Sequence, residues 1–230
     1  MSLFDILFPK RCVSCSAYGF YICSNCFAKI TLLETSVCVS CQKNTIGGMT
    51  HPHCYTPQMI DGVLSSVVYR GVVKKLVYRF KYKPYLSDLE QTIVSLFYEG
   101  LIQQEAFFRL LQHEVLLVPI PLHISRFRMR GYNQSQILAR GIGKRLHVPV
   151  ADILTRVRNT QTQIGQTKAE RDENMKGAFG LKKGIQIPSN VSILLVDDVC
   201  TSGATLKEAA KVLKRTGVKT VWGITFAHGE

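Results

Sequence analysis

Hydrophobic and polar positions alternate between two periods along most of this chain. Residues 63–69 are β-branched and strand-like. In residues 72–80, Val73, Leu76, Val77 and Phe80 fall at helical spacing. A longer helix is predicted over 88–112. Residues 115–120 form an apolar run closed by Pro119 and Pro121, which reads as a buried strand. Residues 135–146 repeat Leu138, Ile142 and Leu146 in helical register, with Gly141 and Gly143 weakening the second half. A strand follows at 153–157. Residues 159–176 are polar, contain Gly165 and show no period, so a long lid-like loop is expected. Residues 192–196 predict a buried strand, 204–215 a helix stopped near Gly217, and 219–226 a last strand. Strands alternating with helices predict an α/β domain: a mainly parallel sheet with helices on both faces.

Cysteine usage divides the chain. Seven of the eight cysteines precede residue 55, and Cys200 alone follows. The expected organisation is a small module over 1–57 and an α/β domain over 58–230. A module of that size needs a metal or disulfides to fold. No apolar run approaches the roughly 18 residues of a membrane span. The opening stretch has no basic segment and carries Asp5, unlike a signal peptide. A cytoplasmic location is expected, where clustered thiols serve metals.

The thiols come in pairs: Cys12 and Cys15, Cys23 and Cys26, Cys38 and Cys41, then His51 and Cys54. Two residues between partners let both sulfurs span one edge of a zinc tetrahedron. Seven cysteines and His51 make eight ligands, the number two structural zinc ions require. Sequential sets (Cys12, Cys15, Cys23, Cys26; Cys38, Cys41, His51, Cys54) and a cross-braced set both fit. His53 is an alternative to His51, and one zinc an alternative to two.

The net charge is +13, from 29 basic and 16 acidic residues. A surplus this size favours polyanions. It is concentrated. Lys74, Lys75, Arg79, Lys81 and Lys83 interleave with Tyr69, Tyr78, Phe80, Tyr82 and Tyr85, a cationic track with rings that suits single-stranded DNA. A second basic stretch runs from Arg126 to Arg145 without an acid.

The apolar run ending at Val196 stops at Asp197 and Asp198. Thr201, Ser202, Gly203, Ala204 and Thr205 follow and lead into a helix. A small-residue turn into a helix N-terminus offers N–H groups to a phosphate, and two acids before it stand where sugar hydroxyls would lie. Cys200 reads as a small buried hydrophobe. This segment resembles the signature of type I phosphoribosyltransferases. The resemblance implies that Asp197 and Asp198, the candidate catalytic residues, hold the ribose hydroxyls of phosphoribosyl pyrophosphate (PRPP). Residues 201–205 would hold its 5′-phosphate, and Mg2+ would bridge hydroxyls and pyrophosphate. Displacement at C1′ then needs no protein nucleophile.

Further motifs narrow the resemblance. Val118-Pro-Ile-Pro-Leu-His123 is followed by Arg126 and Arg130-Gly-Tyr-Asn-Gln134, and later by Arg171, Asn174 and Gly177-Ala-Phe179. Phe80-Lys81-Tyr82 lies upstream and the cysteine pairs lie in front. In this order the whole chain resembles the ComF (ComFC) family of competence proteins. That implies a phosphoribosyltransferase-like domain behind a zinc-ribbon module, and a role in handling incoming single-stranded DNA during natural transformation. It also implies DNA-uptake partners at the inner face of the membrane, with peripheral association there. Arg130 and Arg171 join the expected PRPP ligands, and residues 159–178 form a hood carrying Lys168 and Arg171. His123 is either a ligand or a satisfied turn residue. An active transferase on an unknown acceptor and a non-catalytic PRPP sensor are the alternatives, since no base pocket is legible.

Overall fold

Four parallel strands carry most of the chain in this computed structural model, which describes residues 10–82, 87–160, 167–188 and 190–229. In chain order the elements begin with a short helix α1 (Ser24–Phe27) and two short strands, β1 (Ser36–Val37) and β2 (Asn44–Thr45). Then come β3 (Gly62–Val68), α2 (Gly71–Tyr82), α3 (Ser87–Ile102), α4 (Glu105–Leu111) and β4 (Val115–Pro119). They continue with α5 (Ile124–Arg130), α6 (Gln134–Leu146), β5 (Leu154–Arg156), α7 (Lys168–Met175) and β6 (Phe179–Leu181). The chain closes with β7 (Ser192–Cys200), α8 (Ala204–Lys214) and β8 (Val221–His228).

The sheet order is β3-β8-β7-β4, with every neighbouring pair parallel. The continuous apolar runs of β4 and β7 suit strands covered on both sides. One face packs against α2, α3, α4 and α6 through Leu76, Phe97, Phe107 and Leu138. The other packs against α8 and the β5-β6 ribbon through Leu206, Ala210, Leu213 and Phe179. The carboxyl ends of β4 and β7 therefore open at one rim, where such sheets bind ligands.

Gly141 and Gly143 do not weaken α6. A Cβ on Gly141 would stand 2.6 Å from Val94, and one on Gly143 would stand 2.7 Å from Val150. These glycines let the helix approach its neighbours closely.

Three expectations are corrected. The helix predicted over 88–112 is two helices, because Gln104 is extended and its amide donates to Ser65 O (2.9 Å) and Gly100 O (2.8 Å). Between the expected strand at 115–120 and helix at 135–146 stands a further helix, α5, capped by His123 and closed by Gly131 at φ 80. The loop expected over 159–176 holds α7, started by a capping box in which Thr167 and Glu170 satisfy each other's backbone N–H groups. Residues 161–166 of that loop lie outside the described residues.

The cysteine-rich segment covers the free edge of β3. Leu32 bridges Val67, Leu33 N donates to Ser66 O (3.0 Å), and Val68 N donates to Thr31 O (3.0 Å). This caps an edge that would otherwise present unpaired backbone groups. Among the described residues no helix is long and apolar enough to cross a membrane.

Candidate functional site

The site grows from the end of β7. Ile193, Leu194, Leu195 and Val196 are fully buried, so the strand delivers Asp197 and Asp198 from the core to the rim. Asp197 Oδ1 accepts from Ser135 Oγ at the start of α6 (2.8 Å) and from Asp198 N (2.9 Å). Burial, then the charge of Asp198, raises its carboxyl to about 6, against the pull of Lys81 and the Ser135 hydroxyl. Asp198 is buried and pairs with Lys81 Nζ at 2.8 Å. Burial alone would lower the Lys81 ammonium. The attraction of Asp198, with Asp197 behind it, outweighs that and raises it.

The turn after β7 has the form expected of a phosphate loop. Gly203 sits at φ 70 at the head of α8, and Ser202 is buried with its Oγ accepting from Ala204 N (3.4 Å). Thr205 is half-buried on the first turn of α8. Thr201 Oγ1 accepts from Arg171 NH1 of α7 at 2.8 Å, so α7 reaches the turn. Cys200 is buried, and burial followed by the charge of Asp197 pushes its thiol up to about 12, the state of an inert core residue.

Three guanidinium groups face the same rim. Arg126 and Arg130 come from α5 and Arg156 from β5. Arg126 donates to Thr160 O (2.8 Å). Arg130 lies over the Tyr82 ring at 5.0 Å and donates to Gln134 Oε1 at 3.0 Å. Arg156 donates to Thr160 Oγ1 and lies over the Phe179 ring at 5.5 Å. Burial, then the charges of Arg126 and Arg130, lowers Arg156 to about 10 despite Asp197. Among the described residues, Arg130 Nε, Arg156 Nε and Gln134 Nε2 are buried without a hydrogen-bond partner. Mutually repelling cations with unused buried donors make a site for an anion. Tyr132 OH donates to Phe80 O (2.5 Å), and Asn133 caps α6 while donating to Ile120 O (3.0 Å). This ties the end of α2 to the basic segment. His123 Nδ1 accepts from Ser125 N (3.3 Å) and pairs with Ser125 Oγ (2.8 Å), so this side chain caps α5.

The basic and aromatic stretch does not form one face. Phe80 is core, and Lys81 turns inward to Asp198. Lys75 Nζ donates to Ser14 O (3.0 Å) in the cysteine-rich segment. Lys74, which lies 5.7 Å from the Tyr69 ring, and the exposed Tyr78 and Tyr82 follow each other one turn apart. The two tyrosine rings are 5.1 Å apart. Arg79 is half-buried on the same helix. Lys83 and Tyr85 lie outside the described residues.

Cys12, Cys15, Cys23 and Cys26 gather in one cluster, and Cys38, Cys41, His51 and Cys54 in another, with all ligand atoms of a cluster within 4.8 Å of one another. Among the described residues these are the two groupings of that kind. In both knuckles burial would raise the first thiol, but backbone N–H groups of the turn, together with that of Cys23 for Cys12 and that of His51 for Cys38, prevail and bring Cys12 and Cys38 down to about 6. Four-sulfur and three-sulfur-one-nitrogen sets at this spacing fit structural zinc.

Comparison with known proteins agrees with both halves. Residues 130–229 match the phosphoribosyl transferase domain family, and residues 3–55 match the double zinc ribbon domain family. The chain is 29% identical over 223 residues to competence protein F of Haemophilus influenzae, spanning 89% of this chain and 96% of that one. It is 26% identical over 213 residues to competence protein ComFC of Bacillus subtilis, spanning 80% of each. Over most of its length the chain is thus similar to competence proteins of the ComF kind. A further relative, DNA utilization protein YhgH of Escherichia coli K12, is 36% identical over 106 residues, 46% of this chain and 45% of that one.

Several residues at the site carry no local signal in the sequence. Gln134 ends the Arg-Gly-Tyr-Asn-Gln segment and Ser135 follows it, yet nothing local announces that Ser135 would bind Asp197 and that Gln134 would keep a buried amide without a hydrogen-bond partner. Arg126 and Arg156 were legible as charges but not as a cluster, since 30 positions separate them. In sequence Lys81 belongs with the expected DNA track, because its neighbours are basic. Only the packing of α2 turns it toward Asp198.

Proposed function

We propose that this protein binds PRPP at the end of β7 in support of a role in competence, and that single-stranded DNA is its macromolecular ligand. The observation that carries the reading is the convergence on one rim of two carboxylates, a glycine turn at a helix head and three arginines, two of which, Arg130 and Arg156, keep an unused buried donor. In this reading the loop N–H groups and the Thr201, Ser202 and Thr205 hydroxyls take the 5′-phosphate. Asp197 and Asp198 orient the ribose hydroxyls, and Arg126, Arg130 and Arg156 receive the pyrophosphate. Arg171 closes over the loop from the hood. Lys81 already neutralises Asp198, so the acids fit a magnesium ion that arrives with the ligand better than a free dicarboxylate cage. Magnesium supplies neutralisation of the pyrophosphate charge. The exposed line of Lys74, Tyr78 and Tyr82 supports the DNA part, because rings beside cations suit unpaired bases.

Titration calorimetry with PRPP and Mg2+ tests the first claim. Asp197→Ala combined with Asp198→Ala should weaken binding by roughly a hundredfold or more, since each charged hydrogen bond is worth about 1.5–3 kcal/mol. Unchanged affinity would reduce the loop to a helix cap. Pyrophosphate release on adding a panel of free bases would move the reading from ligand binding to transfer.

A further inference from the structure

Val39 and Ser40 lie between Cys38 and Cys41, two members of the second metal cluster. Their turn is closed by Gln42 N donating to Cys38 O (2.8 Å) and Gln42 Nε2 donating to Val39 O (3.0 Å). Val39 is 2% exposed and packs with the core beneath α8. A Cβ on Gly203 would stand 1.9 Å from Val39 Cγ2. The phosphate-loop glycine is therefore needed twice, for its φ of 70 and because a valine methyl fills the space where its side chain would be. On the other side of the same knuckle, Ser40 O accepts from Lys168 Nζ, the first residue of α7. One turn further along α7, Arg171 reaches Thr201. The metal knuckle thus backs the phosphate loop and anchors the hood that meets that loop.

We propose that the cluster of Cys38, Cys41, His51 and Cys54 is a working part of the ligand site. Val39 is a positioning residue that holds the phosphate loop in its binding shape, Ser40 tethers the hood, and metal occupancy is coupled to ligand binding. The proposal rests on the PRPP reading above. Its physical basis is rigidity. A bound metal fixes both cysteines of the knuckle, and a β-branched side chain between them has little rotamer freedom. Without the metal the thiolates repel, the turn opens, and Val39 leaves Gly203. Coupling of this kind is reciprocal, so the ligand must strengthen metal binding by the factor with which metal strengthens ligand binding.

Two experiments on the full chain test it. Val39→Ala touches no metal ligand. It should keep the same zinc content as the unmodified protein, weaken PRPP binding in Mg2+ by roughly 5- to 50-fold, within the usual span of coupling, and speed amide exchange across residues 201–205. Wild-type affinity in that variant overturns the proposal. Second, zinc affinity is measured by competition against a chromogenic chelator with and without PRPP and Mg2+. PRPP should protect the metal of one cluster, and Val39→Ala should abolish the protection. If PRPP binds the zinc-loaded protein calorimetrically but neither metal is protected, the coupling is wrong and the PRPP reading stands. If the zinc-loaded protein does not bind PRPP at all, both fail together.

Discussion

Lys81 Nζ lies 2.8 Å from Asp198 Oδ1, joining the last turn of α2 to the end of β7 through an ion pair whose side chains are 22% and 10% exposed. A residue from the basic track is thereby part of the carboxylate site. Replacing it with Met strands a buried acid, and removing one partner of such a pair costs about 3 kcal/mol. Lys81→Met should therefore lower the melting temperature by roughly 5–10 °C and weaken PRPP binding. Single-stranded DNA binding should stay near wild type. Loss of DNA binding with PRPP affinity intact would return Lys81 to the DNA surface.

Asp197 gives a pH signature. Its carboxyl lies at about 6 in the fold against an ordinary 3.8, so the folded chain holds this proton more tightly than the unfolded one. Protonation therefore favours the fold. The contribution of Asp197 to stability is greatest below the ordinary value and is lost as pH rises through about 6. Ribose recognition has the opposite sign, because the ionised carboxylate accepts hydroxyl donors. PRPP affinity should fall as pH drops through about 6. The ligand's own phosphate also titrates near 6, so the measurement is a comparison. Asp197→Asn should bind weakly and keep only the ligand's share of the pH dependence. Superimposable profiles would exclude Asp197 from the contact.

The hood contact makes a third prediction. Arg171 NH1 donates to Thr201 Oγ1 at 2.8 Å, a bond of about 1.5–3 kcal/mol if it persists with ligand. Arg171→Ala should weaken PRPP binding roughly tenfold or more. It should also leave residues 168–175 equally exchangeable with and without PRPP, whereas the wild type gains protection. Equal exchange in the wild type would remove the lid role.

DNA contact is tested away from the carboxylates. Tyr78 is 59% exposed, whereas Tyr82 also stacks on Arg130 and reports on both sites. Tyr78→Ala with Lys74→Glu should weaken single-stranded DNA binding by about 1–3 kcal/mol for the lost stack alone. The slope of log affinity against log salt should flatten by about 0.7 for the lost cation. PRPP binding should be unchanged. A salt-independent affinity in the wild type would count against this surface.

Local order was legible in the chain itself. The two periods placed all four strands of the main sheet and the helices α2, α6 and α8. The run Val196 to Thr205 announced a strand ending in a glycine turn into a helix, and the cysteine pairs announced clusters of metal-ligating side chains. Each of these depends on neighbours in sequence: alternation, turn geometry, and the close spacing two thiolates need. The capping box at Thr167 and Glu170 is equally local, although residues 159–176 show no hydrophobic period that marks a helix. What only the tertiary structure decided are meetings between distant segments. Lys81 and Asp198 are 117 positions apart and Val39 and Gly203 are 164 apart. Ser135 meets Asp197, and three arginines share one rim. Helical periodicity tells that a residue lies near the inner face of α2, but not which strand end lies opposite. That follows from the order β3-β8-β7-β4, which sets β7 beside β4 and brings its carboxyl end under α2 and α6. The chain's pattern specifies the pieces, and close packing of those pieces selects which charges pair and which are left to meet a ligand.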